Sequence, residues 1–132
     1  MKEPVWIERR VVIALHQRLL AEHGGAQGVR EEALLDSALA RPRQLFSYEK
    51  PDLPDLAAAY VSGIVRNHPF TDGSKRTAFM TGYVFLGRNG LTLEAREAQA
   101  ATMVLDLAPS TLSESGFAAW LRTHVRRHTA FR

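Results

Sequence analysis

The chain has 132 residues, of which 45% are apolar and 23% charged, and its formal net charge is +3. This length and apolar content predict one folded domain over residues 1–132 rather than a disordered polypeptide. The absence of cysteine excludes disulfides, thiolate metal ligands and cysteine nucleophiles. The first residues do not resemble a signal peptide, and no apolar run approaches the roughly 20 residues of a membrane span. We therefore expect a cytoplasmic protein with no membrane partner.

Positive charge is concentrated at the C-terminal end. Between residues 116 and 132 the chain carries four arginines and no acidic residue. They are Arg122, Arg126, Arg127 and Arg132. A basic helix of this kind is ordinarily a solvated face, and a docking surface for an acidic protein is the alternative. Direct nucleic-acid binding is the weakest interpretation, because the rest of the chain is nearly neutral.

Hydrophobic residues recur at helical spacing along most of the chain. The first predicted helix covers residues 4–22 and ends at Gly24-Gly25. The second runs from about Arg30 and ends before Pro42.

Residues 43–54 have a different pattern. Pro51 and Pro54 disfavour a helix there. We therefore predict a short extended flap before the third helix, formed by Leu45, Phe46, Ser47 and Tyr48.

Five further elements are predicted after the flap. They are a helix from Asp55 to Asn67 or His68, a helix from Ser74 to Asn89-Gly90, an extended link over Leu91–Leu93, a helix over Glu94–Leu107, and a last helix over residues 113–128. The predicted fold class is all-α, with six helices and one possible β flap.

The loop between the third and fourth helices concentrates the residues that can do chemistry. It reads His68-Pro69-Phe70-Thr71-Asp72-Gly73-Ser74-Lys75-Arg76. Pro69 ends the third helix, and the loop brings backbone N–H groups to the N-terminus of the fourth, which attracts anions. Lys75 and Arg76 lie in that first turn, where cations oppose the helix dipole. An anionic ligand explains such an arrangement better than helix stability does.

Each of these residues also has a structural alternative. His68 is suited to act as a general base near neutral pH, but a histidine can also cap a helix end. Asp72 can cap the fourth helix, hold Mg²⁺ beside phosphates, or do both. Gly73 permits a positive φ and close approach of a phosphate, and Ser74 adds a hydroxyl. The structural alternative for Lys75 and Arg76, each considered alone, is an ordinary charge on the protein surface.

Two other patterns are weaker. His124 and His128 are spaced i, i+4, which suits a metal, but no acidic residue accompanies them. The cluster Gly24-Gly25…Gly28 lacks the strand of a dinucleotide-binding fingerprint and is interpreted as a loop.

The segment from His68 to Thr77 resembles the signature of Doc toxins in the Fic/Doc family, His-x-Phe-x-Asp/Asn-Gly/Ala-Asn-Lys-Arg-Thr. The similarity extends over most of the chain. It includes Gly24-Gly25, Gly28-Val29-Arg30, Leu34-Leu35, Ala38, Arg41-Pro42, Phe85-Leu86 and Asn89-Gly90. This resemblance implies a compact six-helix Fic/Doc-type bundle.

Two positions distinguish this chain from Fic adenylyltransferases, which usually carry glycine in place of Lys75 and a second arginine in place of Phe79. The Doc branch shares both departures. The resemblance therefore implies a kinase that transfers the γ-phosphoryl group of ATP to a threonine of a translation elongation factor and arrests translation. It also implies an antitoxin whose C-terminal segment folds against the toxin. Nucleotidyl transfer, and a catalytically silent nucleotide- or antitoxin-binding regulator, are the alternatives.

The resemblance also implies a role for each loop residue. His68 would deprotonate the target hydroxyl, Asp72 would hold Mg²⁺, Lys75 and Arg76 would neutralise charge on the transferring phosphoryl group, and Gly73 and Ser74 would line the phosphate nest. The flap over Leu45–Tyr48 would align the target by main-chain pairing. Ser74 stands where the family has asparagine, and its single donor in place of two implies a reduced rate.

Overall fold

The computed structural model describes residues 2–109 and 111–128. Within these residues the chain forms six helices and one two-stranded antiparallel sheet. The helices are α1 (Arg9–His23), α2 (Glu32–Tyr48), α3 (Leu53–Asn67), α4 (Ser74–Arg88), α5 (Glu97–Leu107) and α6 (Glu114–His124), and the strands are β1 (Leu91–Leu93) and β2 (Val125–Arg127). The predicted all-α class is confirmed.

Helix α3 is the centre of the bundle. Every residue from Leu56 to Val65 is buried, as expected for a helix that is surrounded by α2, α4 and α6. Close approach depends on two glycines. A Cβ on Gly82 would lie 2.5 Å from Val61 Cγ2, and one on Gly63 would lie 3.3 Å from the Ala38 carbonyl oxygen. These contacts allow α3 to lie close to α2 and to α4, the two helices on either side of it.

Residues 2–8 form no helix, and Glu8 has an extended backbone, so the first helix begins at Arg9 rather than at residue 4. Two tertiary hydrogen bonds compete with helix formation there. The Val5 amide donates to Asn89 Oδ1 at 2.8 Å, and the Ile7 amide donates to the buried Tyr60 hydroxyl at 2.9 Å. Helix α5 likewise begins three residues later than predicted.

The predicted extended flap is wrong. Helix α2 continues through Pro42 to Tyr48, so Leu45, Phe46, Ser47 and Tyr48 are all helical. The loss of one backbone donor at Pro42 is offset by burial of its ring, and by packing of Phe46 edge-on against Trp6 with ring centroids 5.7 Å apart. Pro54 does not interrupt a helix either, because it lies in the first turn of α3, where its missing N–H costs nothing.

The last helix ends at His124, four residues before the predicted boundary. Residues Val125–Arg127 form β2 instead and pair with β1, with Leu93 opposite Val125 and Leu91 opposite Arg127. The predicted extended link over Leu91–Leu93 is therefore confirmed as a strand. The backbone hydrogen bonds between β1 and β2 keep residues 125–127 extended, although their sequence pattern predicted a helix.

Arg122 connects the last helix to the start of α3. Its Nε donates to Asp52 Oδ2 at 2.7 Å, and its Nη2 donates to Asp52 Oδ1 at 3.0 Å and to Asp55 Oδ1 at 2.8 Å. The two aspartates also form a capping box at the N-terminus of α3. Arg126 pairs with Glu94 at 3.0 Å. Two arginines of the proposed basic docking face are thus engaged within the chain, and Arg132 lies outside the described residues.

The hydrogen bond from Arg122 is the main cause that lowers the pKa of Asp52 to about 2. We expect Arg122→Gln to lower the free energy of unfolding by about 1 kcal/mol at neutral pH, the upper range for an exposed ion pair. Because the pKa of Asp52 is lower in the folded state than in the unfolded one, this contribution is present above about pH 4 and is lost as pH falls through about 2.

Urea unfolding of both proteins between pH 7 and pH 2 measures this effect. The stability difference should shrink towards zero in acid, and a difference that stays constant with pH would contradict the assignment. Arg126→Gln removes only an exposed pair with Glu94 and is the control, with little change expected at any pH.

Candidate active site

The loop between α3 and α4 begins at a strained residue. His68 caps α3 with φ 48° and ψ 57°, the only non-glycine positive φ among the described residues. Its amide donates to the Ile64 carbonyl at 3.0 Å, and Pro69, which has no N–H, cannot continue the helix. The side chain of His68 is exposed at the edge of a cleft. The structure thus turns the backbone of His68 so that its ring is presented to solvent at the start of the loop.

Arg30 holds the backbone of this residue in place. Its Nε donates to the His68 carbonyl at 2.9 Å, and its Nη2 donates to the Asn67 carbonyl at 3.1 Å. Its own amide donates to the Pro69 carbonyl at 2.6 Å. Arg30 therefore satisfies the carbonyls that the end of α3 leaves unpaired. The sequence pattern alone gave no sign of this role, because the partners are almost 40 residues apart.

The glycine-rich segment 24–28 lies along the other half of the loop. The Ala26 amide donates to Asp72 Oδ2 at 2.8 Å, and the Thr71 amide donates to the Gly28 carbonyl at 3.1 Å. Gly25 has φ 124°, and a Cβ there would lie 3.2 Å from Asp72 Cβ, so glycine suits this close approach. The interpretation of this cluster as a loop is confirmed, and the structure adds that it supports the site.

Asp72 does not cap the following helix. Helix α4 has Gly73 at its N-cap, with φ 80° and no side-chain cap hydrogen bond. The first helical hydrogen bond runs from the Thr77 amide to the Gly73 carbonyl at 3.0 Å. Among the described residues, the amides of Ser74, Lys75 and Arg76 have no backbone or side-chain acceptor. Three donors at a helix N-terminus therefore face the same region, which is the geometry of an anion site.

The side chains of Lys75 and Arg76 are exposed, and neither forms an ion pair with a described residue. No acidic residue lies in the first turn of α4 to balance them. Both side chains line the same cleft as His68 and Asp72. Two cations therefore lie at the N-terminus of α4, where the positive end of the helix dipole adds to their charge, and the carboxylates of Asp72 and Glu97 line the same cleft.

Ser74 is turned inward. Its residue is 2% exposed, and its Oγ accepts from the Phe70 amide at 3.2 Å. The expectation that this hydroxyl lines a phosphate nest does not fit this position, although the Ser74 amide lies at the helix terminus. Phe70 itself is fully buried, as expected for a residue that anchors the loop.

A histidine that the sequence analysis did not select lies beneath the loop. His16, on α1, is 3% exposed and stacks on Phe70 with ring centroids 3.8 Å apart. Its Nε2 lies 2.7 Å from the Asp72 carbonyl oxygen. In the sequence, His16 lies on the apolar face of the predicted first helix, so the hydrophobic pattern predicted only that it is buried in the core.

The loop residues converge on a cleft of about 740 Å³ between α1, α4 and α5. Six of the predicted site residues line it: His68, Asp72, Gly73, Ser74, Lys75 and Arg76. The rest of the lining is mainly apolar and includes Leu19, Phe79, Met80, Ala100, Val104 and Leu105, with Glu97 as an acidic residue at the start of α5. The cleft therefore combines a cationic, donor-rich end with an apolar end.

The remaining candidate residues lie elsewhere. Leu45 lines a separate cleft of about 330 Å³ between α2 and α6, and none of the residues of the predicted flap lines the larger cleft. The strand β2 separates His124 from His128, so their helical spacing is lost. Their ring nitrogens lie 2.8 Å from the Trp120 carbonyl and 3.1 Å from the Gly87 carbonyl, respectively. No cluster of three potential metal ligands occurs within residues 2–109 and 111–128.

None of the helices in the described part of the chain has the length and hydrophobicity that a bilayer crossing requires.

The model of the Fic/DOC family matches residues 6–86, more than half of the chain, so the chain belongs to this family. It is 37% identical over 111 residues to "Toxin Doc" of Mycolicibacterium smegmatis, covering 76% of this chain and 85% of that protein. It is 30% identical over 112 residues to "Protein kinase doc" of Escherichia phage P1, covering 84% of this chain and 88% of that protein. The resemblance to Doc toxins of the Fic/Doc family is thus confirmed.

Proposed function

We propose that this protein is a cytoplasmic toxin of the Doc type that transfers the γ-phosphoryl group of ATP to a hydroxyl side chain of a protein. The observation that carries the proposal is the convergence, in one cleft, of an exposed histidine, a carboxylate, unpaired helix-terminal amides and two unpaired cations. Transfer of a phosphoryl group depends mainly on positioning and on charge stabilisation, which such a cleft provides.

In this reaction the amides of Ser74, Lys75 and Arg76 bind phosphate oxygens, and the two side-chain cations neutralise the charge that develops during transfer. His68 accepts the proton of the target hydroxyl. The hydroxyl oxygen forms a bond to the γ-phosphorus while the bond from that phosphorus to the β–γ bridging oxygen breaks, so that ADP leaves. The residues that carry these groups all line the cleft, which supports this assignment.

Asp72 suits a magnesium ion. Its side chain is exposed in the cleft, and Oδ1 has no hydrogen-bond partner among the described residues, whereas Oδ2 accepts from Ala26. Mg²⁺ is commonly held in nucleotide sites by one or two carboxylates together with phosphate oxygens and water. When bound, the ion would offset phosphate charge and orient the triphosphate. The Ala26 amide keeps the Asp72 carboxylate directed along the loop.

Nucleotidyl transfer is the second candidate. The resemblance to Fic adenylyltransferases calls for a second arginine where this chain has Phe79, and the Phe79 ring lines the cleft. An apolar ring at that place offers no charge for an α-phosphate, which favours γ-phosphoryl transfer. By the same resemblance we propose a threonine of a translation elongation factor as the target and a protein antitoxin as the neutralising partner.

Incubation with Mg²⁺, a bacterial lysate and ATP labelled at either the γ or the α position tests the reaction. We expect label from the γ position on a protein band and none from the α position. Transfer of the α label would replace the proposal with nucleotidyl transfer. Failure of both labels would identify the protein as a silent nucleotide- or antitoxin-binding regulator.

Ser74 provides a further prediction. Ser74→Ala leaves the buried Phe70 amide without an acceptor, and should lower the free energy of unfolding by about 1–3 kcal/mol. Asparagine retains an acceptor for that amide. Because the native hydroxyl faces away from the phosphate cradle, we expect Ser74→Asn to change the transfer rate by less than about tenfold, below the loss typical of a donor that contacts the reacting group.

Urea unfolding and single-turnover transfer measure these two effects. Ser62→Ala is the matched control, because the Ser62 hydroxyl is buried without a partner among the described residues and its removal should cost little. A gain of about a hundredfold or more in Ser74→Asn would instead support attenuation by a missing phosphate donor.

A further inference from the structure

His16 lies against three residues of the loop between α3 and α4, namely Phe70, Asp72 and Gly73. Its ring is stacked on Phe70 at an interplanar angle of 13°. Its Nε2 lies 2.7 Å from the Asp72 carbonyl oxygen, and since that oxygen only accepts, Nε2 carries the proton and donates. A Cβ on Gly73 would lie 3.6 Å from its Cδ2 and 3.7 Å from its Nε2. The loop therefore lies directly on a buried imidazole.

The hydrogen bond from His16 fixes the orientation of one peptide plane. The carbonyl of Asp72 and the N–H of Gly73 belong to the same trans peptide, so they point in opposite directions. The carbonyl is held towards the buried ring of His16, which is 3% exposed. The Gly73 N–H must then point away from the interior. It has no acceptor among the described residues, and it directly precedes the three unpaired amides of α4.

We propose that His16 is a positioning residue that turns the Gly73 N–H outward and so adds a fourth amide to the phosphate cradle. This inference rests on the proposed function, because it concerns how the same cleft binds a triphosphate. A rotated Asp72–Gly73 peptide would present a carbonyl oxygen to the phosphates in place of a donor. The residue acts through the backbone of the loop and does not touch the nucleotide.

The test compares three variants. His16→Leu removes the donor, and His16→Gln keeps an N–H group at a similar distance from the backbone. Val12→Ala removes buried volume one helical turn away on α1 and leaves the donor in place. Calorimetry with Mg²⁺ and a non-hydrolysable ATP analogue measures binding, and steady-state transfer separates KM from kcat. We expect His16→Leu to weaken nucleotide binding about tenfold and to raise KM by the same factor.

His16→Gln should restore most of this affinity, and Val12→Ala should leave it unchanged despite lowering stability. If His16→Leu does not fold, His16→Phe replaces it, since that variant keeps an aromatic ring against Phe70 and lacks the donor. The positioning role is overturned if the glutamine variant binds as weakly as the leucine or phenylalanine variant. It is equally overturned if Val12→Ala weakens binding by the same factor.

The binding measurement does not depend on turnover. A wild-type protein that binds the analogue without transferring the γ-phosphoryl group would refute the proposed reaction alone, and the comparison of His16→Leu with His16→Gln would still decide the role of His16.

Discussion

His68→Ala is expected to lower phosphoryl transfer by about 10²–10⁴-fold, the usual effect of removing a general base. Of the two other histidines near this region, His16 is buried beneath the loop and His23 lines the cleft from the end of α1, so neither occupies the position of His68 at the start of the loop. The target hydroxyl would then have to lose its proton to water. Transfer of γ-labelled phosphate at saturating ATP measures this loss directly.

The backbone of His68 requires a second variant as control. At φ 48° most side chains are strained, whereas asparagine tolerates the left-handed region better than alanine does. His68→Asn should therefore retain the stability of the loop and still lose activity. Near wild-type transfer by His68→Asn would show that His68 supports the turn and is not the base.

Lys75→Ala and Arg76→Ala should each lower the transfer rate by about 10²–10³-fold, as expected for groups that stabilise charge in the transition state. The same changes should raise the free energy of unfolding by about 0.3–1 kcal/mol, because each removes a cation from the positive end of the α4 dipole. Activity and stability are thus expected to change in opposite directions. A loss of activity together with a gain in stability would show that the cation serves the reaction, since a cation with a structural role would stabilise the fold.

Arg88→Ala is the matched control on the same helix. Arg88 lies in the last turn of α4, where a cation is favourable, and it does not line the cleft. This variant should lose a few tenths of a kcal/mol of stability and keep its transfer rate. If Lys75→Ala and Arg76→Ala also leave the rate unchanged, these cations are ordinary surface charges.

The helix–loop–helix of the site could be predicted from the sequence because proline and glycine constrain the backbone at their own positions. Pro69 follows the C-cap of α3 and has no N–H with which to extend the helix, and Gly73 adopts the positive φ found at the entry into α4. The apolar spacing on either side then predicts two helices. The existence of a helix–loop–helix carrying His68 and Asp72 follows from these local facts.

The errors arose where distant contacts outweigh local tendency. Pro42 suggested a helix end, but burial of its ring and the packing of Phe46 on Trp6 keep α2 intact. The segment after His124 becomes a strand because β1 offers a partner. Neither partner can be recognised from the segment itself.

The same reason hides the residues that support the site. Arg30 reaches the end of α3 across 38 residues, and His16 reaches the Asp72 carbonyl across 56. An arginine in a loop and a histidine in a helix are both common without any functional role, so neither residue stands out in the sequence. Only the packing of α1 and of segment 24–28 on the loop reveals what they hold.

A crystal structure with Mg²⁺ and a non-hydrolysable ATP analogue would show directly where the triphosphate binds. We expect the terminal phosphate at the amides of Ser74, Lys75 and Arg76, the metal on Asp72, and the ring of His68 facing that phosphate across the position of the target hydroxyl. A nucleotide bound elsewhere, or one whose triphosphate avoids the N-terminus of α4, would contradict it.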